Sequence, residues 1–358
     1  MPALQTYLLS APDYGALAPH FGRLGIGIEV ATPVWPSDSL FAALVAQAAL
    51  LGQAGEDFTT VMTGNNPPLR HSSLFPRIGN LVLLPRPALE LSFKDEAARR
   101  EIGKGFKKVK FLSPDLFKAV CRGDDLQQFA HVALQGGEVW VGRNELAQLP
   151  ANWQYKASDS PEQNQIRLKA TNIWRYESEP HVTVDRASSA SAYYEAGRVF
   201  FAPGCGLALL TTNQDAFFER LLELLSEGGI GGRRSVGNGA FSWTHGSELA
   251  FDSGGERVVT LSRFLPRDAA EIEVIRDEHS RYQLVEVGGW ATTSDASFRR
   301  KEITMLAEGA VLAHDVVGQV ANVRSNTFLT ATTTPHPIYR SGLALTVPLG
   351  VKEDEHGA

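Results

Sequence analysis

Cysteine is almost absent from this chain. Cys121 and Cys205 are the only two thiols, too few for a disulfide framework or a four-thiolate zinc site, which points to a reducing cytoplasm. Long apolar runs are missing as well. The most hydrophobic stretch, LFAALVAQAALLG from Leu40, stops at Gly52, short of the roughly 20 residues a membrane helix needs. The opening MPALQTYLLSAPDYG has neither the basic start nor the apolar core of a secretory leader. A soluble cytoplasmic protein with no membrane partner is expected. Excess positive charge is also lacking: 34 Lys and Arg stand against 40 Asp and Glu, for a net charge of −6. Any nucleic-acid surface must therefore be a local patch. The nine histidines never fall at H-x-x-x-H or H-E-x-x-H spacing, and no G-x-S-x-G occurs, so neither a metal site, a serine nucleophile nor a cofactor is expected. The acid pairs Asp124-Asp125 and Glu271-Glu273 read as solvated surface carboxylates.

What is present is an ordinary globular composition, 43% hydrophobic and 21% charged over 358 residues, enough for about two domains. LQTYLLSA near the start reads as a strand. WPSDSLFAALVAQAALLGQAG then reads as a helix, with Ser37 or Asp38 as its cap and Gly52 as its stop. SSLFPRIGNLVLLPRP, punctuated by Pro76, Pro85 and Pro87, reads as strands and edges. From about Gln154 to Glu195 the chain is polar and reads as loops and a hairpin, followed by a strand pair, RVFFAP and GLALLTT. NQDAFFERLLELLSEGG carries apolar residues at helical spacing, and AFSWTHG reads as a strand. Past about Asp252 no strong helix is visible and a smaller, mostly β domain is expected. The order before that point matches an α+β, ferredoxin-like βαββαβ unit with a large insertion. The expected division is residues 1–252, with an insertion over about 85–195, and residues 253–358.

Between the second helix and the strand after it lies GGIGGRRSVGNGAF, six glycines and two arginines in fourteen residues from Gly228. It is not a Walker A loop: Asn238 and Gly239 follow Gly237 where Lys-Ser/Thr would be required, and the helix precedes the loop instead of following it. The dinucleotide fingerprint fails because its third glycine position holds Arg234. An exposed loop remains, in which Gly229, Gly231, Gly232 and Gly237 let backbone N–H groups approach an anion. Arg233 and Arg234, with Ser235 and Asn238 beside them, would supply charge and bidentate geometry for phosphodiester oxygens. A flexible connection is the plainer alternative.

A helix, this loop and a strand resemble the signature of the RAMP superfamily, the RNA-binding proteins of CRISPR effector complexes. SDSLFAAL at Ser37, SSLFPRIGNLVLLPRP at Ser72, FKKVKFLS at Phe106, HVTVDR at His181, VEVGGW at Val285 and HPIYRSGLALTVP at His336 are similar, in order, to one group within it. That group is the Cas-five type, the fourth subunit of type III-A, Csm-type effectors. Pro36-Ser37 replaces the His-Ser that often opens the first block, so no histidine role carries over there. The resemblance implies a ferredoxin-like or RRM-like core and a non-catalytic role. It also implies three partners: the 5′ tag of the guide RNA (crRNA), the large polymerase-nuclease subunit, and the filament-forming RAMP subunit.

Two further segments bear on RNA. The run from Arg99 to Lys110 holds six basic residues against Glu101. In its extended part Lys108 and Lys110 share one face and Val109 and Phe111 the other. Lys107, Lys108 and Lys110 are candidates to follow a phosphate backbone, a solvated surface strand being the alternative. In IWRYE, Trp174 and Tyr176 flank Arg175, a combination that suits base stacking. The resemblance makes His181 and Arg186 candidates on a hairpin against RNA, with Asp185 and Arg186 as a positioning pair. The rival reading is a metal-independent endoribonuclease with His20 or His181 as general acid or base.

Overall fold

The computed structural model describes residues 3–13, 15–21, 31–89, 100, 103–124, 126, 131–184, 191–232, 234, 237–252, 254–292, 297–327 and 336–350. The chain begins with β1 (Gln5–Ser10), α1 (Ser37–Ala48), α2 (Gln53–Met62), β2 (Phe75–Ile78) and β3 (Leu81–Val82). Leu40, Phe41, Leu44 and Ala48 recur on one side of α1 and are buried, as an amphipathic helix on a core requires. Gly52 breaks it at φ +60°, but the chain turns there and restarts as α2. The sequence conceals α2 because, of its ten residues, just Gly55 and Met62 are buried.

The next part holds β4 (Leu84–Pro85), β5 (Phe111–Leu112), α3 (Pro114–Arg122), β6 (His131–Leu134), β7 (Val139–Gly142), α4 (Pro161–Lys169), β8 (Trp174–Val184) and β9 (Ser191–Phe201). Four of these strands form a sheet in the order β4-β5-β7-β6, with β5 and β7 parallel. β8 and β9 form a separate antiparallel hairpin, from Trp174 opposite Phe201 to Val184 opposite Ser191.

The chain then returns with β10 (Cys205–Thr211), α5 (Ala216–Gly228) and β11 (Ser242–His245). The main sheet runs β11-β1-β10-β2-β3, antiparallel throughout. RVFFAP and GLALLTT are therefore not a pair: the first belongs to β9, and the second, as β10, lies between β1 and β2. Asp215 caps α5 by accepting from the Phe218 N–H at 2.7 Å, and Phe218, Leu221, Leu222 and Leu225 bury its inner face.

The C-terminal part comprises β12 (Val258–Thr260), α6 (Ala269–Arg276), β13 (Leu284–Val287), β14 (Trp290–Thr292), β15 (Ser297–Arg299), β16 (Ile303–Leu306), β17 (Val311–Leu312), β18 (Val320–Asn322), β19 (Tyr339–Ser341) and β20 (Thr346–Pro348). Its sheets are small: β17-β12-β20 and the pairs β13-β16, β14-β15 and β18-β19. α6 was not expected from the sequence. Its Glu271 is buried, not solvated, and accepts hydrogen bonds from the Val317, Gly318 and Arg267 amides.

Ser37 and Asp38 do not cap α1. Pro36 occupies the cap position and offers no side-chain hydrogen bond to the first turn. Ser37 Oγ accepts from the Arg263 N–H at 3.0 Å, and the Ser37 N–H donates to Ser73 Oγ at 2.8 Å. Asp38, 1% exposed, meets Arg263 Nη1 at 2.7 Å and Arg340 Nη1 at 3.6 Å. These residues clamp the first helix to the C-terminal strands, so the motif at Ser37 belongs to the seam between the two parts.

Burial pushes both thiols, Cys121 and Cys205, up to about 12. The thiolate is the reactive form. Native protein at pH 8 is therefore expected to resist iodoacetamide at both sites and to take up two labels once unfolded, as mass spectrometry would count. Rapid native labelling would contradict the packing around either cysteine. No described helix is long and apolar enough to cross a membrane.

Candidate nucleic-acid interface

α5 ends at Gly228 and Gly229 takes φ +74°. The loop then folds on itself and on the segment before residue 22. The Ile230 N–H donates to the Gly239 carbonyl, the Gly232 N–H to that of His20 and the Gly237 N–H to that of Arg234, each at 2.9 Å. Amides withdrawn from water must find acceptors, and these three find them within the protein. The amides of Gly232 and Gly237, expected to be bare, are therefore already paired. The loop glycines also allow close backbone approach. A Cβ on Gly231 would stand 2.5 Å from the His20 carbonyl oxygen, and one on Gly239 would stand 1.9 Å from that of Ile230.

Among the residues singled out in this loop, Arg234 is exposed, and Gly237 faces open space with nothing within 4 Å of a built Cβ. Asn238 is 3% exposed, and its side-chain nitrogen has no hydrogen-bond partner among the described residues. Arg233 and Ser235 lie outside the described residues. The loop follows the C-terminus of α5, where the helix dipole is negative, so anion affinity here must come from guanidinium groups and not from the dipole.

His20 is the post beneath the loop. It is 2% exposed, its Nδ1 lies 2.5 Å from the Gly197 carbonyl oxygen, and it bridges to Gly231 and Gly232. On its other side, the Val199 N–H donates to the Pro19 carbonyl and the Phe201 N–H to that of Leu17. The segment Leu17–His20 thus runs as a rail between β9 and the glycine loop. Nothing in the sequence linked these three segments, because their contacts span about 180 to 210 positions.

Along β8 one face changes character. Trp174, at the base, is 1% exposed and packs edge-on against Phe111 at 5.8 Å. It is core and is not available to stack on a base. On the same face farther along, Tyr176 is 52%, Val182 59% and Val184 58% exposed. Arg175 pairs with Glu177 at 2.5 Å and lies over the Phe200 ring. His181 sits in β8 opposite Tyr194; its side chain, Asp185 and Arg186 lie outside the described residues.

The lysine run keeps its expected alternation: Val109 and Phe111 are buried while Lys107, Lys108 and Lys110 are exposed. Lys110 Nζ pairs with Glu138 at 2.7 Å. Lys107 and Lys108 have no ion-pair partner among the described residues. Arg86, which the sequence did not single out because it sits between Pro85 and Pro87, lies beside them with its guanidinium over the Phe106 ring at 5.3 Å.

Comparison with known proteins agrees with this architecture. Residues 253–349 match the family described as the CRISPR Csm4 C-terminal domain. A Csm4 protein of Thermococcus onnurineus is 26% identical over 333 residues, covering 89% of this chain and 92% of that protein. Two solved structures share the fold. One is of a Csm3-Csm4 subcomplex in the type III-A CRISPR-Cas interference complex, with a TM-score of 0.63 and 18% identity over 96% of this chain and 99% of the other. The second is of a Csm1-Csm4 cassette in complex with pppApA, with a TM-score of 0.54 and 19% identity over 99% and 100%. Residues 253–349 thus match the Csm4 C-terminal domain directly, and 89% of the chain is similar to a Csm4 protein of a CRISPR system.

Proposed function

We propose that this chain is a non-catalytic subunit of a type III-A CRISPR-Cas interference complex and holds the 5′ tag of the crRNA. In that role it bridges the large polymerase-nuclease subunit and the filament-forming subunit. The relatives support the partners, since Csm4 chains stand with Csm3 in one solved assembly and with Csm1 in another. A ferredoxin-like core is supported by strand order: the four strands flanking α1 and α5, taken first to fourth along the chain, lie side by side as 4-1-3-2. Division at about residue 252, with an insertion over about 85–195, remains part of the same proposal.

The observation that carries the RNA reading is the construction of the glycine loop. Its backbone is tied to His20, Arg234 projects to solvent, and the buried Asn238 amide nitrogen beside it has no acceptor among the described residues. An unsatisfied buried donor calls for an acceptor, and a phosphate or ribose oxygen provides one. Arg233, Ser235, Gly229, Gly231, Gly232 and Gly237 complete the proposed contact. Lys107, Lys108, Lys110, His181 and Arg186 extend it toward the hairpin, where Tyr176 offers a base-stacking ring. The endoribonuclease reading gains no support from His20, which is buried beneath the loop with its Nδ1 at a backbone carbonyl.

The test uses the full chain and labelled RNA bearing a repeat-derived 5′ tag. Arg234→Ala is expected to weaken retention about tenfold, the size of one charge-assisted contact. It should also flatten the slope of log affinity against log salt by about 0.7. The RNA should stay intact. Unchanged retention would remove the loop from the interface, and metal-independent cleavage would overturn the non-catalytic assignment.

A further inference from the structure

Where the inserted segment meets the C-terminal part there is a solvent-open cleft of about 650 Å³. From the inserted segment its walls take Arg86, Lys107, Lys108, Lys110 and Glu138, and from the C-terminal part Gln283, Glu308, Gly309 and Ala310. The volume lies within the usual range for ligand sites, roughly 300–1,000 Å³. Backbone contacts hold the walls in place. The Arg86 N–H donates to the Lys110 carbonyl at 2.9 Å, and the Ala88 N–H donates to the Gly309 carbonyl at 2.8 Å. Gly309 takes φ +82°, where a Cβ would stand 2.6 Å from the Arg86 carbonyl oxygen.

The charges do not cancel inside this space. Glu138 is occupied by Lys110. Glu308 accepts from Ser73 Oγ at 2.5 Å and lies 3.8 Å from Arg263 Nε. Arg86, Lys107 and Lys108 are left without a carboxylate among the described residues, in a chain whose net charge is −6. Half-burial already lowers the Arg86 pKa by desolvation, a cost that a bound anion would offset. The Phe106 ring holds the guanidinium by one face and leaves its N–H edge for bidentate contact.

We propose that this cleft is a second phosphate subsite, in which Arg86, Lys107 and Lys108 hold the backbone of a single-stranded RNA against the side formed by Gln283, Glu308 and Gly309. The inference rests on the RNA reading above and adds to it a contribution from the C-terminal part. An acidic protein partner fits less well. Protein interfaces are typically broad, about 800 Å² on each side, whereas these cations converge in a narrow concave space with a planar donor suited to phosphodiester oxygens.

Fluorescence anisotropy of the full chain with a labelled RNA octamer tests this. The triple variant Arg86→Gln, Lys107→Gln, Lys108→Gln is expected to bind at least about 30-fold more weakly. Its log affinity–log salt slope should flatten by about 2, at about 0.7 per lost phosphate contact. Gln283→Glu, an exposed change on the side from the C-terminal part, should weaken binding about fivefold, so the conclusion does not hang on the triple variant folding. If Arg234→Ala weakens binding while both cleft variants match the parent, the cleft assignment falls and the RNA reading stands. If the parent chain retains no RNA, the RNA reading fails and takes the inference with it. Competition by AMP or ATP equal to that of the octamer at matched phosphate concentration would overturn the strand assignment in favour of a free nucleotide. Binding of an acidic peptide, lost in the same variants while RNA binding persists, would overturn it in favour of a protein partner.

Discussion

Asp38→Ala is expected to lower the unfolding free energy of the chain by about 3–5 kcal/mol, the usual loss when one member of a buried ion pair is removed. Asp38 is 1% exposed, and its two guanidinium neighbours, Arg263 and Arg340, are 17% and 12% exposed at their side chains. Taking away the carboxylate leaves Arg263, among the described residues, with Glu308 at 3.8 Å as its carboxylate, and leaves Arg340 with backbone and hydroxyl acceptors on the first helix. Burial already lowers the Arg340 pKa, and Asp38 is the charge that offsets it. Urea unfolding followed by tryptophan fluorescence would measure the loss. The double variant Asp38→Ala, Arg263→Ala should be less destabilised than the sum of the two single changes, with a coupling of about 1–3 kcal/mol. A loss under about 1 kcal/mol with additive single effects would mean that the clamp is solvated and contributes little to holding the two parts together.

Gly239→Ala is expected to be nearly as damaging, and to act on RNA retention as well. At φ +75° an alanine pays about 1–2 kcal/mol for left-handed backbone. Its Cβ would also stand 1.9 Å from the Ile230 carbonyl oxygen, so the two sides of the loop must part. Their separation loses the Ile230–Gly239 hydrogen bond, worth about 1 kcal/mol, and the expected total is about 3 kcal/mol. Gly237→Ala is the internal control. It has a similar φ of +86° but open space around the new methyl, so about 1–2 kcal/mol is expected and no displacement of the loop. Thermal melts paired with tag-retention assays would separate the two. Gly239→Ala should lose more retention than Arg234→Ala, because it moves the whole loop. Equal effects from the two glycine variants would show that conformational strain, and not close packing, governs this turn.

Legibility followed the range of the interactions involved. The helices at Ser37 and Ala216 could be read because each repeats its apolar residues at the period of its own backbone. The lysine alternation against Val109 and Phe111 was legible for the same reason. The polar helix at Gln53 and the short one at Ala269 were not, since few of their residues are buried. Trp174 looked like a stacking residue beside Tyr176, yet Phe111, 63 positions away, covers one ring and leaves the other exposed.

The amino-acid order alone determined the two strongly apolar helices, the absence of cofactor motifs and the place of the glycine-arginine loop, because these depend on neighbours within a few residues. Tertiary structure alone decided what the charged and glycine residues do. Ser37 and Asp38 became a clamp because Arg263 and Arg340 arrive from more than 220 positions away. The loop glycines became contact points because His20 and the hairpin arrive beside them. Burial and pairing depend on which distant segments meet, and local sequence pattern carries no record of that meeting.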